Sequence, residues 1–155
     1  MRRTTGLYTI GYSGHTPLSF IGALHKARIT ALLDIRMTPI SRKLGFSKTR
    51  LRLGLEEEGI TYYHIRELGS PAYLRRQLAV DKDYDAFFYG FREHLAQQEH
   101  SIHAAASLVL AERVCLMCVE EHPGCCHRSV VADAIQHHLA KPFAIHHLPS
   151  PLHLH

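Results

Sequence analysis

Cysteine, histidine and arginine side chains are concentrated in one short stretch of the chain, where they offer nucleophilic and anion-binding chemistry. The stretch contains Cys115, Cys118, Cys125 and Cys126, and His127 and Arg128 follow the last of these directly. A Pro-Gly pair and a helical apolar pattern predict that Cys126, His127 and Arg128 begin a helix. Free backbone N–H groups and cationic neighbours at a helix start favour a thiolate or a bound anion. These three residues are therefore candidates for a thiol centre or an anion site.

Some of the same side chains are soft ligands that suit zinc, namely Cys118, Cys126 and His127. Zinc knuckles, however, carry paired cysteines on a turn of their own, and Cys118 falls inside a predicted strand. We therefore predict no cofactor, and zinc at these residues is the less favoured alternative. A cysteine-phosphatase mechanism is also disfavoured, because Arg128 follows Cys126 more closely than the arginine of that loop does.

Two carboxylates at predicted strand ends, Asp34 and Glu120, suit proton transfer or charge stabilisation. Arg36, Arg42 and Arg128 provide donors that would hold a phosphate beside them. Cationic neighbours keep carboxylates ionised, which suits a base or an oxocarbenium stabiliser better than an acid. Asp34 and Arg36 share one face of a strand, so an ion pair at a solvated strand end is the alternative for them.

Two loops add further candidates for ligand binding. The residues concerned are Gly11, Tyr12 and Ser13 in one loop and Ser41 and Phe46 in the other. A glycine lets the backbone approach a ligand closely, although a tight turn explains it equally well. An aromatic side chain beside basic residues offers a base a stacking surface, unless Phe46 packs inward.

Apolar runs that alternate with helical patterns predict the elements that must position these residues. Strands are predicted near residues 7–11, 30–36, 60–65, 113–119 and 143–148. Such alternation implies crossover connections, so we predict a three-layer α/β/α domain with a mostly parallel sheet of four or five strands. Each polar cluster follows a strand, which is where a doubly wound sheet places its ligand crevice.

The helices are predicted from their start signals and apolar spacing. Thr16 and Pro17 indicate an N-cap and the first residue of a helix. A later helix is predicted from an apolar stripe that suits core packing better than stacking on a ligand, at Tyr84, Phe87, Phe88, Phe91 and Leu95. The histidines at 94, 100 and 103 are predicted to lie on the surface near the following turn.

The composition limits the class of protein. The chain has 155 residues, 46% hydrophobic, and a formal net charge of +4, which suits one domain over residues 1–148 with a tail over 149–155. There is no apolar run of membrane-spanning length and no signal-peptide pattern, and the clustered cysteines are unlike a secreted disulfide scaffold. We therefore expect a cytoplasmic protein with reduced cysteines and no membrane partner. The charge favours a phosphate-bearing small molecule or a nucleic acid as ligand, and the oligomeric state is left open.

A set of short motifs, in a fixed order between residue 8 and about residue 148, resembles the DUF488 family. The motifs lie at 9–13, 34–36, 39, 41–42, 46, 59–62, 68–69, 118–120 and 126–128. The resemblance implies a small α/β domain of bacteria and archaea in which these polar positions gather as a site, and it implies no established reaction. This chain has Ser70 where family members often have a second glycine after the Leu-Gly pair.

Together, these features predict a basic anion-binding crevice in an enzyme that acts on a nucleotide or nucleic-acid component, at a glycosidic or phosphoester bond. Asp34 and Glu120 are the predicted proton-handling pair, with Cys126 as a supporting thiol. Two alternatives stay open. One is a non-catalytic module that binds nucleotides or nucleic acids, and the other is a thiol-based redox protein that uses Cys126.

Overall fold

The computed structural model describes residues 6–120, 127–141 and 143–151. In these ranges the strands are β1 (Gly6–Gly11), β2 (Ala31–Asp34), β3 (Thr61–His64), β4 (Val114–Cys118) and β5 (Ala144–His147). The helices are α1 (Pro17–Lys26), α2 (Lys48–Glu57), α3 (Ala72–Asp81), α4 (Tyr84–Ala96), α5 (Glu99–Ala111) and α6 (Arg128–Leu139). A 3-10 turn at Arg66–Leu68 follows β3. All five predicted strands are confirmed.

The strands form one sheet in the order β3-β2-β4-β1-β5, and every neighbouring pair is parallel. Its two faces are both apolar because successive side chains of a strand alternate between them. In β4, Leu116 packs with α4, α5 and α6, whereas Met117 packs with α1 and α2. The predicted α/β fold with a mostly parallel sheet is therefore confirmed.

The connections leave β2 and β4 in opposite directions along the sheet. β2 continues through α2 to β3 at one edge, whereas β4 continues through α6 to β5 at the other. α2 and α6 also pack on opposite faces. A parallel sheet opens a crevice at the carboxyl ends of neighbouring strands whose connections diverge in this way. The fold therefore creates a crevice where β2 and β4 end.

The predicted helix start at Thr16 is a complete capping box. The Ser19 backbone N–H donates to Thr16 Oγ1 at 3.1 Å, and the Thr16 backbone N–H donates to Ser19 Oγ at 3.0 Å. In α4, the predicted apolar stripe is confirmed for Phe87, Phe91 and Leu95, which are buried, but not for Tyr84, which is 42% exposed. In the part of the chain that the structure describes, no helix has the length and apolar character needed to cross a membrane.

Two helices had no counterpart in the sequence prediction. α3 buries none of its residues, so it lacks the apolar stripe that reveals a surface helix. α5 packs through small side chains, including Ser101, Ala105 and Ala106, which do not stand out in a hydrophobic pattern. His100 and His103 therefore lie within α5, His100 as its second residue after the turn from α4, and both are exposed as predicted.

The end of the described chain packs against the loop after β1. Ser150, in the predicted tail, is buried and its hydroxyl donates to the carbonyl of Gly14 at 3.5 Å. The backbone N–H of Leu148 also donates to the carbonyl of Thr9 at 2.8 Å. Residues 149–151 therefore lie against the same edge of the sheet as the crevice.

Candidate functional site

A cavity of about 370 Å³ opens at the carboxyl ends of β2 and β4. Its described polar lining includes Arg36, Ser70, Arg75, Lys82, Glu120 and His127. These residues come from the ends of both strands, from the turn before α3, from α3 itself and from the start of α6. The chain therefore brings cationic side chains and a carboxylate together in the crevice that the topology creates.

Asp34 and Arg36 form a buried ion pair at the end of β2. Arg36 Nε donates to Asp34 Oδ1 at 2.9 Å, and Nη2 donates to Oδ2 at 2.8 Å. The Arg36 backbone N–H also donates to Oδ1, at 3.1 Å. The carboxylate is fully buried and the guanidinium is 4% exposed. The two side chains share a face as predicted, but the alternative of a solvated pair is wrong because both groups are enclosed.

The third nitrogen of the Arg36 guanidinium has no hydrogen-bond partner. Nη1 is buried, and neither of the two Asp34 bonds uses it. A buried N–H group without a partner is costly, and Arg36 lines the cavity. The charges of Asp34 and Arg36 largely cancel, so Arg36 supplies directional donors while Arg75 and Lys82 supply net positive charge.

Tyr62 of β3 completes this cluster. Its hydroxyl donates to Asp34 Oδ2 at 2.5 Å. Burial and the adjacent Asp34 carboxylate raise the pKa of Tyr62 well above its usual value, so the phenol stays protonated as a donor. Burial lowers the pKa of Arg36, but the hydrogen bonds and charge of Asp34 raise it more, and the net direction is upward. Asp34 therefore positions a permanently cationic Arg36.

Two histidines form hydrogen bonds to the backbone carbonyls that follow β2, beside the cavity. His64 Nε2 donates to the Arg36 carbonyl at 2.7 Å, and His127 Nε2 donates to the Ile35 carbonyl at 3.2 Å. A carbonyl only accepts, so this hydrogen bonding assigns the proton to Nε2 in both rings. Burial lowers the pKa of His127 to about 4, with Arg75 and Arg128 adding to the effect against the opposing Ile35 bond. His127 is therefore neutral at pH 7.

We expect His127 to make the protein less stable in acid. The unfolded chain takes up a proton at this residue near pH 6.5, whereas the folded chain does so only near pH 4. The unfolded state thus binds more protons in between, and the free energy of unfolding falls by about 3 kcal/mol as pH drops through this window. Urea unfolding at several pH values measures this slope. His127→Gln should flatten it, since an amide keeps the donor without titrating.

The matched control for this measurement is His100→Gln, on the exposed face of α5. This substitution leaves the His127 ring and its bond to the Ile35 carbonyl in place, so the slope of the wild type should be retained. Equal pH slopes in the wild type and in His127→Gln would contradict the assignment of a neutral ring to His127.

Arg128 is fully buried and ties β1 to the end of β4. Its Nε donates to Thr9 Oγ1 at 3.0 Å, and its Nη1 donates to the carbonyl of Glu120 and to Cys118 Sγ. Burial lowers its pKa to about 10, so it remains cationic at pH 7. It is not among the described residues that line the cavity. Arg128 therefore braces the backbone at the ends of β1 and β4, and its role as an anion donor stays a prediction.

Gly11 allows this arrangement because β1 and the end of β4 approach closely there. A Cβ atom at Gly11 would lie 1.6 Å from the Glu120 carbonyl oxygen and 2.6 Å from Arg128 Nη1. Both distances are far below any van der Waals contact. The nearby backbone therefore already explains why position 11 is a glycine. The predicted ligand contact at Gly11 is not needed to explain it.

The two candidate stacking rings are core residues. Tyr12 and Phe46 are buried and stack on each other with centroids 4.7 Å apart. The Arg36 guanidinium carbon lies 5.3 Å from the Tyr12 centroid, and Phe20 packs edge-on against Phe46. Their faces are therefore occupied, and the inward packing that the sequence left as an alternative for Phe46 is the observed one.

The remaining loop candidates brace the loops themselves. The Ser13 backbone N–H donates to the Val119 carbonyl at 3.0 Å, and its carbonyl accepts from Lys43 Nζ at 2.8 Å. Ser41 Oγ accepts from the Lys43 backbone N–H at 3.0 Å. Arg42 is exposed and is not among the described residues that line the cavity. The structure therefore does not bring Ser13, Ser41 or Arg42 to Arg36 inside the cavity.

The predicted carboxylate pair is not formed. Asp34 is enclosed by Arg36 and Tyr62, whereas Glu120 is exposed and lines the cavity. A carboxylate held by four hydrogen-bond donors inside the protein is unavailable to a ligand. Glu120 is thus the one of the two that can act on a bound molecule.

The structure describes only some of the cysteines for which a role was predicted. Cys126 lies outside the described residues, so its proposed thiol role and a zinc site with Cys118 and His127 stay predictions. Within the described ranges, no group of three or more potential metal ligands occurs. Cys118 is disulfide-bonded, whereas Cys115 is free and buried, and burial raises the pKa of that thiol. The expectation of reduced thiols is therefore wrong for Cys118.

Several site residues were not among the predicted catalytic or binding residues, although Tyr62 lies in one of the family motifs and His64 begins a polar cluster after a predicted strand. Tyr62 and His64 are placed by the register of β2 on β3, in which Leu32 pairs with Tyr62 and Asp34 with His64. Alternation along β3 indicates which of its residues share a face, but not which neighbouring strand they meet. Arg75 and Lys82 belong to α3 and its end, the helix that the apolar pattern did not reveal.

Comparison with known proteins adds one positive finding. The family model for DUF488, a domain of unknown function, matches residues 17–135. The match covers most of the chain and includes the described cavity residues from Arg36 to His127. The motif resemblance is therefore confirmed. No curated protein and no solved structure matched the chain.

Proposed function

The chain belongs to the DUF488 family, a domain of unknown function, and we propose that it binds a phosphate-bearing ligand in the cavity between β2 and β4. The observation that carries the proposal is that Arg36 lines the cavity while its buried Nη1 has no hydrogen-bond partner. An anionic oxygen beside this nitrogen would supply the missing acceptor. A charge-assisted bond of this kind is stronger than one to a neutral acceptor.

Charge and size support the same ligand class. Arg75 and Lys82 add positive charge to the cavity from α3 and its end. A volume of about 370 Å³ is near the lower end of the range that small-molecule sites occupy. The wall also carries the exposed apolar side chains of Ile40, Tyr84 and Val119. A phosphate attached to an organic group, such as a nucleotide, matches this mixture.

Glu120 supports a catalytic version of this proposal. Its carboxylate is exposed in the same cavity as Arg36, where it would act on a proton of a ligand whose phosphate Arg36 holds. Asp34 is then a positioning residue for Arg36 and not a second catalytic carboxylate. The reaction class would be hydrolysis or transfer at a glycosidic or phosphoester bond, with Glu120 as the proton acceptor.

Arg36→Lys tests the binding proposal without leaving Asp34 unpaired. Lysine keeps the charge but loses the planar fork and the unpartnered Nη1. We expect the variant to bind adenosine monophosphate more weakly by about 1.5–3 kcal/mol, on the order of tenfold or more in affinity. Isothermal calorimetry with adenosine monophosphate and with inorganic phosphate measures the change.

Two adjacent arginines on α3 provide a matched control. Arg75 lines the cavity and Arg76 does not, although both are exposed. Arg75→Ala should weaken binding several-fold at low salt, and Arg76→Ala should not. Wild-type protein that binds neither anion, or equal losses in both alanine variants, would refute the proposed site. Glu120→Gln with retained binding and lost turnover of a nucleotide would support the catalytic version.

A further inference from the structure

We infer that the segment following the cavity binds the sugar-phosphate backbone of a nucleic acid, so that the phosphate entering the cavity belongs to a nucleic-acid strand. This inference rests on the proposed function and names its ligand class. The cationic segment consists of residues 42–52, with Arg42, Lys43, Lys48, Arg50 and Arg52. Between Asp34 and Glu56 the chain has no acidic residue at all.

Most of these charges have no internal counter-charge. Arg42, Lys48 and Arg50 are exposed, and among the described residues none of them forms a salt bridge. Arg52 pairs with Glu56 at 3.3 Å across an exposed turn of α2. Charges that serve a folded surface are normally interspersed with the opposite sign. A run of exposed, unpaired cations is instead the electrostatic footprint of a polyanion partner.

The charged residues of α2 also follow the order opposite to the one that its helix dipole favours. Its cations lie in the first half, its first turn has no acidic residue, and its last turn has no basic one. Helices are stabilised by the reverse order, with acids first and bases last. Ser47, at the N-cap position, makes no capping bond, and its hydroxyl donates to the Ser41 carbonyl at 3.1 Å. Both features raise the positive potential at the start of α2.

The cationic segment continues directly from the cavity wall. Met37, Thr38 and Ile40 line the cavity, and Arg42 follows within two residues. Helices that connect parallel strands run back across the sheet, so the start of α2 lies at the same edge as the cavity. Lys43 holds the segment there through its bond to the Ser13 carbonyl at 2.8 Å. One strand of a polyanion would therefore contact both surfaces.

The side chains of the segment indicate contact with phosphates and not with bases. Its exposed apolar residue, Leu44 at 76%, is aliphatic, while Phe46 is buried. Stacking on a base needs an exposed aromatic face. Lysines and arginines that contact phosphates position a strand without reading its sequence. The expected binding is therefore independent of sequence and strongly dependent on salt.

Lys48→Gln/Arg50→Gln tests the inference by fluorescence anisotropy with a labelled single-stranded DNA oligonucleotide bearing a 5′-phosphate. Each phosphate contact contributes about 0.7 to the slope of log affinity against log salt for a single strand, so two lost contacts lower the slope by about 1.4. Lys26→Gln/Lys141→Gln removes two exposed cations from the opposite edge of the sheet. This control should leave the slope unchanged.

The outcomes separate this inference from the proposed function. If the wild type binds no oligonucleotide, if both double variants lose affinity equally, or if polyglutamate displaces the strand equally well, the cationic segment is not a nucleic-acid surface. If Arg36→Lys loses adenosine monophosphate binding while the Lys48/Arg50 double variant keeps it and loses the oligonucleotide, both proposals are supported. Oligonucleotide binding by a wild type that binds neither monophosphate nor inorganic phosphate would refute the cavity proposal and, with it, entry of the strand into the cavity.

Discussion

Asp34→Ala should lower the free energy of unfolding by about 3–5 kcal/mol, because removing one partner of a buried ion pair leaves the other charge uncompensated. Arg36 is 4% exposed, and its guanidinium would lose both of its bonds to the carboxylate. The hydroxyl of Tyr62 would lose its acceptor as well. Urea denaturation at pH 7 measures the loss.

An exposed pair in the same protein is the control. Arg52 and Glu56 form a salt bridge at 3.3 Å on the surface of α2, and Glu56→Ala should cost less than about 1 kcal/mol. The Asp34→Ala/Arg36→Ala double variant should cost clearly less than the two single losses added together, since it removes both charges. An Asp34→Ala loss no larger than that of Glu56→Ala would show that the buried pair does not hold the end of β2.

Gly11→Ala is expected to cost about 3 kcal/mol or more in unfolding free energy, or to prevent folding, because a methyl group there overlaps backbone atoms. Its Cβ would lie 1.6 Å from the carbonyl oxygen of Glu120. Neither strand can yield alone, since Arg128 holds both through Thr9 and the same carbonyl. Circular dichroism during thermal and urea unfolding measures the effect.

Gly54→Ala is the matched substitution for that experiment. Gly54 lies inside α2, and a Cβ there meets nothing within 4 Å. Alanine is the better helix former, so this variant should be more stable by about 0.5–1 kcal/mol. If Gly11→Ala were as well tolerated as Gly54→Ala, the result would contradict the close approach of β1 to the end of β4.

The position of the cavity, at the carboxyl ends of the strands, could be predicted from the sequence because polar residues follow the apolar runs of parallel strands. Asp34 and Arg36 were predicted to share a face, and Arg36, two residues after the end of β2, does pair with Asp34, its last residue. The alternation of apolar runs and helical patterns also predicted the parallel sheet. These inferences need only the period of a strand and the rule that crossover connections return to the same edge.

The roles of the same residues could not be predicted, because they depend on which strands are neighbours. Tyr62 meets Asp34 only because β3 lies beside β2 in a particular register. The sequence suggested that Arg128 holds a ligand, whereas the closeness of Thr9 and Glu120 makes it a buried brace. The order of the strands thus decides whether an arginine contacts a ligand or stabilises the fold.

The place of β1 in the sheet has a consequence for how the protein is synthesised. β1 is the first strand in the chain, but it pairs with β4 and β5, so that Tyr8 lies beside Cys115. During translation, β1 cannot pair until β4 and β5 have been synthesised, on the order of a hundred residues later, and closing so long a loop is slow. β2 and β3 are already adjacent in the chain, so Asp34, Arg36 and Tyr62 can assemble while the ribosome is still making α4 and α5. The cavity gains Glu120 and His127 only when β4 enters the sheet beside β2, which makes the candidate site one of the last features to form on the nascent chain.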